Sequence, residues 1–258
     1  MHFDVHPLLN AIMSLSENGL ETIEDLQLNG LKLLQRKDGF RFGMDTVILS
    51  DFATIRPGDT VADFGTGNGI IPLLLIGRGK GRYFYAFEIQ SESADLARRN
   101  MLLNRVDDRV TIFQDDVLNA PSCMAGKKVD CVIANPPYGI PGKVLNHNCE
   151  KQEISRNQET DTMDRFLSSA SRILKGRGRI AICYPAAQML FLMDQLKSYR
   201  LEPKRFQLVY PFEDRAPKLV LIEAVKDARP MLHPLPPLVI YQKNGDLTNR
   251  LKSIYHLL

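Results

Sequence analysis

Residues Val61-Ala62-Asp63-Phe64-Gly65-Thr66-Gly67-Asn68-Gly69-Ile70-Ile71 place an apolar strand, a glycine loop and the start of an apolar helix end to end. A strand that turns directly into a helix satisfies that order, with glycines that can take left-handed backbone and approach a ligand closely. The helix N-terminus that follows presents unpaired N–H groups to the loop. Such a unit belongs to an open α/β sheet, which collects its ligands beyond the C-terminal ends of the strands. The glycines are spaced G-x-G-x-G, not the G-x-G-x-x-G of nicotinamide sites. Asp63 would repel a pyrophosphate but suits an amine-bearing ligand, such as the amino acid moiety of S-adenosylmethionine.

The pattern recurs. Tyr83-Phe84-Tyr85-Ala86-Phe87-Glu88-Ile89 reads as a second strand closed by an acid, and Glu88 lies the right distance downstream to accept from a ribose diol. Val110-Thr111-Ile112-Phe113-Gln114-Asp115-Asp116 reads as a third, with Asp116, one step deeper into the loop before Val117, the acceptor expected for an adenine amino group. Taken singly, each acid reads equally as a helix N-cap or a solvated loop residue. Three at successive strand ends do not. A fourth apolar run, Cys131-Val132-Ile133-Ala134, ends in Asn135-Pro136-Pro137-Tyr138. The prolines forbid helix and fix φ, so the Asn135 side chain and the Pro136 carbonyl become acceptors in set directions for both hydrogens of one planar NH2. Tyr138 offers a ring face on which a base can stack.

Strands near 60–64, 83–88, 110–113, 130–134 and 178–183 alternate with helical patterns near 69–77, 92–104 and 163–174, followed by a helix over 186–199. This order predicts an α/β fold with a largely parallel sheet and helices on both faces. Apolar stretches near 204–210 and 217–225, joined by a short connection, predict an antiparallel hairpin at its end. Residues 26–42 suit a hairpin lid over the cofactor. Residues 139–161 lack clear periodicity and suit a flap that grips substrate, or a helix within 148–158, with Lys143, Lys151 and Arg156 available to phosphate.

With these motifs in place the chain resembles the class I S-adenosylmethionine-dependent methyltransferases, and among them the amino-methyltransferases that carry an (Asp/Asn)-Pro-Pro-(Tyr/Phe) motif. The stretches 38–52, 215–224 and 238–241 are similar to those of the bacterial tRNA(Val) adenine N6-methyltransferases. The resemblance runs from about residue 25 to the end. It implies a Rossmann-like, seven-stranded, mostly parallel sheet with an antiparallel C-terminal strand, with a lead-in and lid over 1–50 and a methyltransferase domain over 51–258. It implies S-adenosylmethionine as cofactor, contacted by Arg41, Asp63, Gly65, Gly67, Asn68, Gly69, Glu88, Ile89, Asp116, Val117 and Asn135, and no metal. It further implies catalysis at Asn135, Pro136, Pro137 and Tyr138 and methylation of adenine 37 beside the anticodon of tRNA(Val). Where the family tends to an Arg-His-Glu-like step after the motif, this chain has Arg156-Asn157-Gln158-Glu159.

At 258 residues and 44% apolar content the chain can bury a full core. No apolar run approaches membrane-spanning length, and Asp4, His6 and Pro7 interrupt the N-terminus, so a cytoplasmic monomer is expected. Cys123, Cys131, Cys149 and Cys183 form no C-x-x-C pair and the five histidines are scattered, which supports neither a disulfide framework nor a zinc site. The net charge of +3 conceals an asymmetry: from Arg172 to His256 there are 15 Lys and Arg against 7 Asp and Glu, an excess of +8 against −5 elsewhere. A basic C-terminal half suits a polyanion such as RNA, most simply tRNA, with Lys204 and Arg205 among its contacts. An rRNA adenine methyltransferase would share every site residue. A protein glutamine N5-methyltransferase would use the same two-hydrogen recognition without needing the basic half, and a nucleotide-binding module without catalysis would not need Asn135.

Overall fold

The structure, a computed structural model, describes residues 20–37, 43–136 and 149–257, and of 149–160 the backbone alone. Two short strands, Glu21–Asp25 (β1) and Lys32–Arg36 (β2), pair as an antiparallel hairpin ahead of helix Met44–Phe52 (α1). The repeating unit follows: Thr60–Phe64 (β3), Ile70–Gly77 (α2), Tyr83–Glu88 (β4), Ser91–Leu103 (α3), Val110–Gln114 (β5), a short turn of helix Ala120–Cys123 (α4) and Val129–Ala134 (β6). Helix Cys149–Ile173 (α5) leads into Leu174–Pro185 (β7), then Met189–Ser198 (α6), Leu201–Tyr210 (β8) and Leu219–Lys226 (β9). His233–Pro234 (β10), Leu238–Val239 (β11) and Asn249–Ile254 (α7) close the described chain.

The large sheet runs β10-β8-β9-β7-β6-β3-β4-β5, with β11 also on β8. β9 is antiparallel to both β7 and β8, and the other pairs are parallel. β3 lies between β4 and β6. The chain steps outward from β3 to β5 and then returns to the other side of β3, which opens a crevice beyond the strand ends at that reversal.

Alternation along the strands sorts the core into two layers. Val61, Phe84, Ala86, Cys131 and Ile133 pack with the apolar faces of α1 and α2, whereas Ala62, Phe64, Phe87, Val132 and Ala134 pack with those of α5 and α6. The same parity carries Asp63, Glu88 and Asn135 onto the α1 and α2 side. Three polar residues from three strand ends therefore converge on one face.

Several boundaries differ from the sequence expectation. The hairpin occupies 21–36 and not 26–42, and it lies along α3, where Asn100 and Asn104 bond the backbone of Leu34 and Lys32. The expected lid position at 38–42 lies outside the described residues. Helix α5 begins at Cys149 and not near 163, realising the helical alternative for that stretch; its polar first half carries no apolar stripe to announce it. β7 begins at Leu174 because Lys175-Gly-Arg-Gly, which has no apolar alternation, joins the ladder across a register shift. β10 and β11 extend the expected seven strands to nine, and the prolines around them are tolerated because they sit at the sheet edge.

Candidate active site

The glycine loop holds three left-handed residues, Gly65, Gly67 and Gly69, with φ of 72°, 57° and 82°. That conformation is costly for any residue with a Cβ. At Gly69 a Cβ would also stand 2.7 Å from Met101 Cε and 3.3 Å from Ala97 Cβ, so glycine lets α3 pack directly against the loop. The N–H groups of Gly65 and Thr66 both donate to the Phe87 carbonyl at the end of β4, at 3.0 and 2.9 Å. Fully buried Asn100 donates to the Asn68 carbonyl at 2.9 Å while its own oxygen accepts from Leu34 N–H at 2.7 Å. Asn100 joins loop, α3 and β2, a role that no sequence motif announces.

Asp63 is completely buried and neither carboxylate oxygen has a hydrogen-bond partner among the described residues. Burial pushes its carboxyl up to about 7; the charge of Glu88 adds to this, and the Thr66 hydroxyl offsets part of it without reaching hydrogen-bond geometry. A buried carboxylate left unsatisfied is a site waiting for a donor. Glu88, 8% exposed, is held differently: Oε2 accepts from Gly67 N–H and Oε1 from Gln90 N–H, each at 2.9 Å. Each oxygen keeps a further lone pair. Ile89 beside it is two-thirds exposed, an apolar surface at the mouth of the crevice.

Asp116 takes the N-cap position of a 3-10 turn, with Oδ1 accepting from Leu118 N–H at 2.9 Å and Oδ2 paired with Arg165 of α5. The helix-cap reading of this acid is realised, and Arg165 joins it from a helix the sequence did not connect to the site. Val117 is buried beneath.

Asn135 follows β6 and points to the N-terminus of α1. Its Nδ2 donates to Asp45 Oδ2 at 2.9 Å and to Thr46 Oγ1 at 3.1 Å, residues 90 and 89 positions away. Pro136 is buried behind it. Asp45 and Thr46 lie inside the 38–52 stretch, but their contact with Asn135 had no local signal. Pro137, Tyr138, Arg41 and Lys143 fall outside the described residues, and the side chains of Lys151 and Arg156 are likewise not described.

The remaining basic candidates occupy the antiparallel half. Arg205, a quarter exposed, bonds Glu223 at 3.0 Å and the Phe52 carbonyl, and lies over the Phe52 ring at 4.3 Å. Its guanidinium ties α1 to β8 and β9, leaving little of it for a phosphate. Lys204 donates to the Arg229 carbonyl at 3.1 Å. At the other end of this hairpin, Leu219 pairs with Pro185, so the turn carrying exposed Arg215 and Lys218 projects at the same end as Asn135.

The N-6 DNA Methylase family profile matches residues 77–198, which include Asn135-Pro-Pro-Tyr but begin after the glycine loop. A tRNA1(Val) (adenine(37)-N6)-methyltransferase of Porphyromonas gingivalis is 29% identical over 190 residues, covering 71% of this chain and 73% of its own. The Pasteurella multocida protein of the same name is 26% identical over 235 residues, covering 90% and 93%. Among solved structures, a predicted O-methyltransferase from Agrobacterium tumefaciens superposes with a TM-score of 0.65 at 20% identity, over 83% of this chain and 96% of that one. The superposition shows the class I methyltransferase fold, and the chain is similar along most of its length to tRNA1(Val) (adenine(37)-N6)-methyltransferases, the Pasteurella multocida relative covering 90% of it.

Proposed function

We propose that this protein methylates N6 of an adenine in RNA, adenine 37 of tRNA(Val), using S-adenosylmethionine. The observation that carries the reading is that Asn135, an amide acceptor for a planar amine, stands on the same sheet face as the buried Asp63 carboxylate and the Glu88 carboxylate at the glycine loop. The residues fit the cofactor. Unpartnered Asp63 suits an ammonium group, the second lone pairs of Glu88 suit a ribose diol, and Ile89, Asp116 and Val117 suit an adenine. Gly65, Gly67 and Gly69 allow the close approach. When bound, the cofactor supplies an electrophilic methyl group on a sulfonium.

The chain's own residues then act on the amine. The N6 lone pair is delocalised into the ring, which makes it a weak nucleophile. Hydrogen bonds from its two hydrogens to Asn135 Oδ1 and the Pro136 carbonyl favour tetrahedral nitrogen and stabilise the positive charge that develops there. S-adenosylmethionine, held by Asp63, Glu88 and the glycine loop, would supply the methyl group to this nitrogen and leave as the thioether, and the extra proton on nitrogen would pass to solvent. Holding both reactants in line contributes much of the remainder. The base must leave its stack, which costs less in an anticodon loop than in a helix. Arg215 and Lys218 are suited to the RNA backbone at the catalytic end, and a tRNA substrate implies a cytoplasmic enzyme.

The test is methyl transfer to unmodified tRNA(Val) transcript, to rRNA and to a glutamine-bearing release-factor-type protein. The expected result is N6-methyladenosine at position 37 of the tRNA, lost when that adenine is replaced. Methylation of the protein with no RNA product would overturn the reading. Product on rRNA alone would overturn the choice of RNA and keep the chemistry.

A further inference from the structure

An amide side chain has one end that only donates and one that only accepts, and which end meets a substrate is decided by what holds the other. In Asn135 the donating end meets Asp45 Oδ2 at 2.9 Å and Thr46 Oγ1 at 3.1 Å, two acceptors for two N–H groups. A carboxylate has no proton to give, so Asp45 accepts only the NH2 end and excludes the flipped amide. We propose that Asp45 and Thr46 are positioning residues that set the orientation of Asn135, so that its carbonyl oxygen is presented to the target amine. The proposal rests on the reading of Asn135 as that amine's acceptor.

The arrangement is itself held in place. Asp45 Oδ1 accepts from Thr46 N–H at 3.0 Å in the first turn of α1, where the helix dipole favours an anion. Gly43 leaves the space: a Cβ there would stand 2.3 Å from Asp45 Oδ1 and 3.2 Å from its Cγ. The far end of α1 is anchored by Lys80, whose Nζ donates to the carbonyls of Ser50, Asp51 and Ala53 at 2.9, 2.8 and 3.0 Å, and by Arg205 on the Phe52 carbonyl. The N-terminus of α1 is thereby fixed relative to β6. A second consequence is electrostatic. An anion behind the NH2 polarises the whole amide, so Oδ1 accepts more strongly as positive charge grows on the amine. Asp45 and Thr46 thus act on the rate through Asn135 without touching either substrate.

The experiment compares Asp45→Ala, Thr46→Val, Thr46→Ser and Asn135→Ala, alone and combined, by kcat and KM on tRNA(Val) transcript and by calorimetric affinity for S-adenosylhomocysteine. Asp45→Ala is expected to lower kcat by about tenfold or more, with KM and cofactor-product affinity within about threefold, the signature of a group acting in the transition state. Thr46→Val should cost a few-fold, roughly one hydrogen bond, and Thr46→Ser should restore it. Added to Asn135→Ala, Asp45→Ala should cost nothing more, because the residue through which it acts is gone. A structural role alone would predict additive losses. Asn135→Asp sets two carboxylates face to face and should be inactive. Joining it to Asp45→Asn returns one donor and one acceptor and should recover about tenfold or more over Asn135→Asp. Full kcat in Asp45→Ala, with Asn135→Ala inactive, would overturn the proposal and leave the function standing; full kcat in Asn135→Ala would overturn the reading beneath it. If Asp45→Ala does not melt as a folded protein, the exchanged pair decides, and no recovery there overturns the proposal.

Discussion

The two walls of the site are built over different distances along the chain. The wall proposed to take the cofactor is assembled from neighbours: Asp63 to Gly69 is one continuous stretch, and the bond from Gly67 to Glu88 spans 21 positions. The wall proposed to act on the amine closes only when residues 89 and 90 positions apart meet at the start of α1. The walls also differ in satisfaction. Asp63 lacks a partner among the described residues, whereas the Asn135 amide is gripped before any substrate arrives. A wall made to take a ligand keeps an unsatisfied charge, and a wall made to act on one is preorganised.

Removing one residue from each wall should separate the two roles. Asn135→Ala is expected to reduce kcat by about 10²- to 10³-fold, comparable to losing a single transition-state acceptor, with S-adenosylhomocysteine affinity changed by no more than about threefold. Single-turnover methyl transfer and calorimetry measure the two quantities separately. A loss confined to cofactor affinity would erase the distinction between the walls.

The difference in chain distance also explains what could be read in advance. Strand-loop-helix order and the acids at strand ends are local signals, so the glycine loop, Asp63 and Glu88 were legible from residues 61–89 alone, and the sheet from the same alternation carried on to residue 225. The contacts of Asp45 with Asn135, of Asn100 with Asn68, and of Arg165 with Asp116 depend on how helices pack. No window of sequence contains both partners. Arg205 illustrates the reverse error: charge alone suggested a phosphate contact, and burial against Glu223 assigns most of that guanidinium to the fold. Exposed Arg215 and Lys218 carry the same charge at the catalytic end, but only strand register reveals it.

The cofactor wall should show a pH signature that the amine wall lacks. Asp63 titrates near 7 in the folded protein, against 3.8 for an ordinary carboxyl, so the folded state retains a proton that the unfolded state releases. Its contribution to stability is therefore complete below about pH 4 and is lost as pH rises through about 7. Asp63→Asn should flatten the stability profile over that window and raise Tm at pH 8. An ammonium ligand favours the ionised form, so S-adenosylhomocysteine should bind more tightly as pH passes 7, with proton release on binding below it. Asp63→Asn should weaken that binding at pH 8 by about tenfold or more, the loss of a charge-assisted bond. A profile unchanged by the substitution would remove Asp63 from the wall.

A subtler change tests whether the amine wall depends on its packing. Gly43→Ala places a methyl group on Asp45 Oδ1, with Asp45 supplying its three nearest atoms, and α1 tolerates it because the extended backbone at residue 43, φ −92°, suits alanine. Asp45 must rotate away. The expected result is a kcat lower by roughly three- to tenfold, the scale of one misplaced hydrogen-bond partner, with Tm within about two degrees. Equal kcat would mean that Asn135 keeps its orientation without Asp45.

The smallest effect concerns the approach of RNA to the amine wall. Lys218 and Asp45 line one small pocket with Met44, Pro211 and Tyr241, so a phosphate beside the target base would meet the β8–β9 turn before it met Lys204. Each phosphate contact contributes about 0.7 to 0.9 to the slope of log affinity against log salt. Arg215→Glu with Lys218→Glu should therefore flatten the slope by up to about two contacts and leave S-adenosylhomocysteine affinity unaltered. Arg205→Ala, which leaves Glu223 buried without its partner, should instead lower stability by about 2 to 4 kcal/mol and keep the slope. Filter binding of tRNA at several salt concentrations, beside melting curves of the same variants, distinguishes the two. A slope altered by Arg205→Ala and not by the turn variants would move the RNA surface to the far end of the hairpin, away from Asn135.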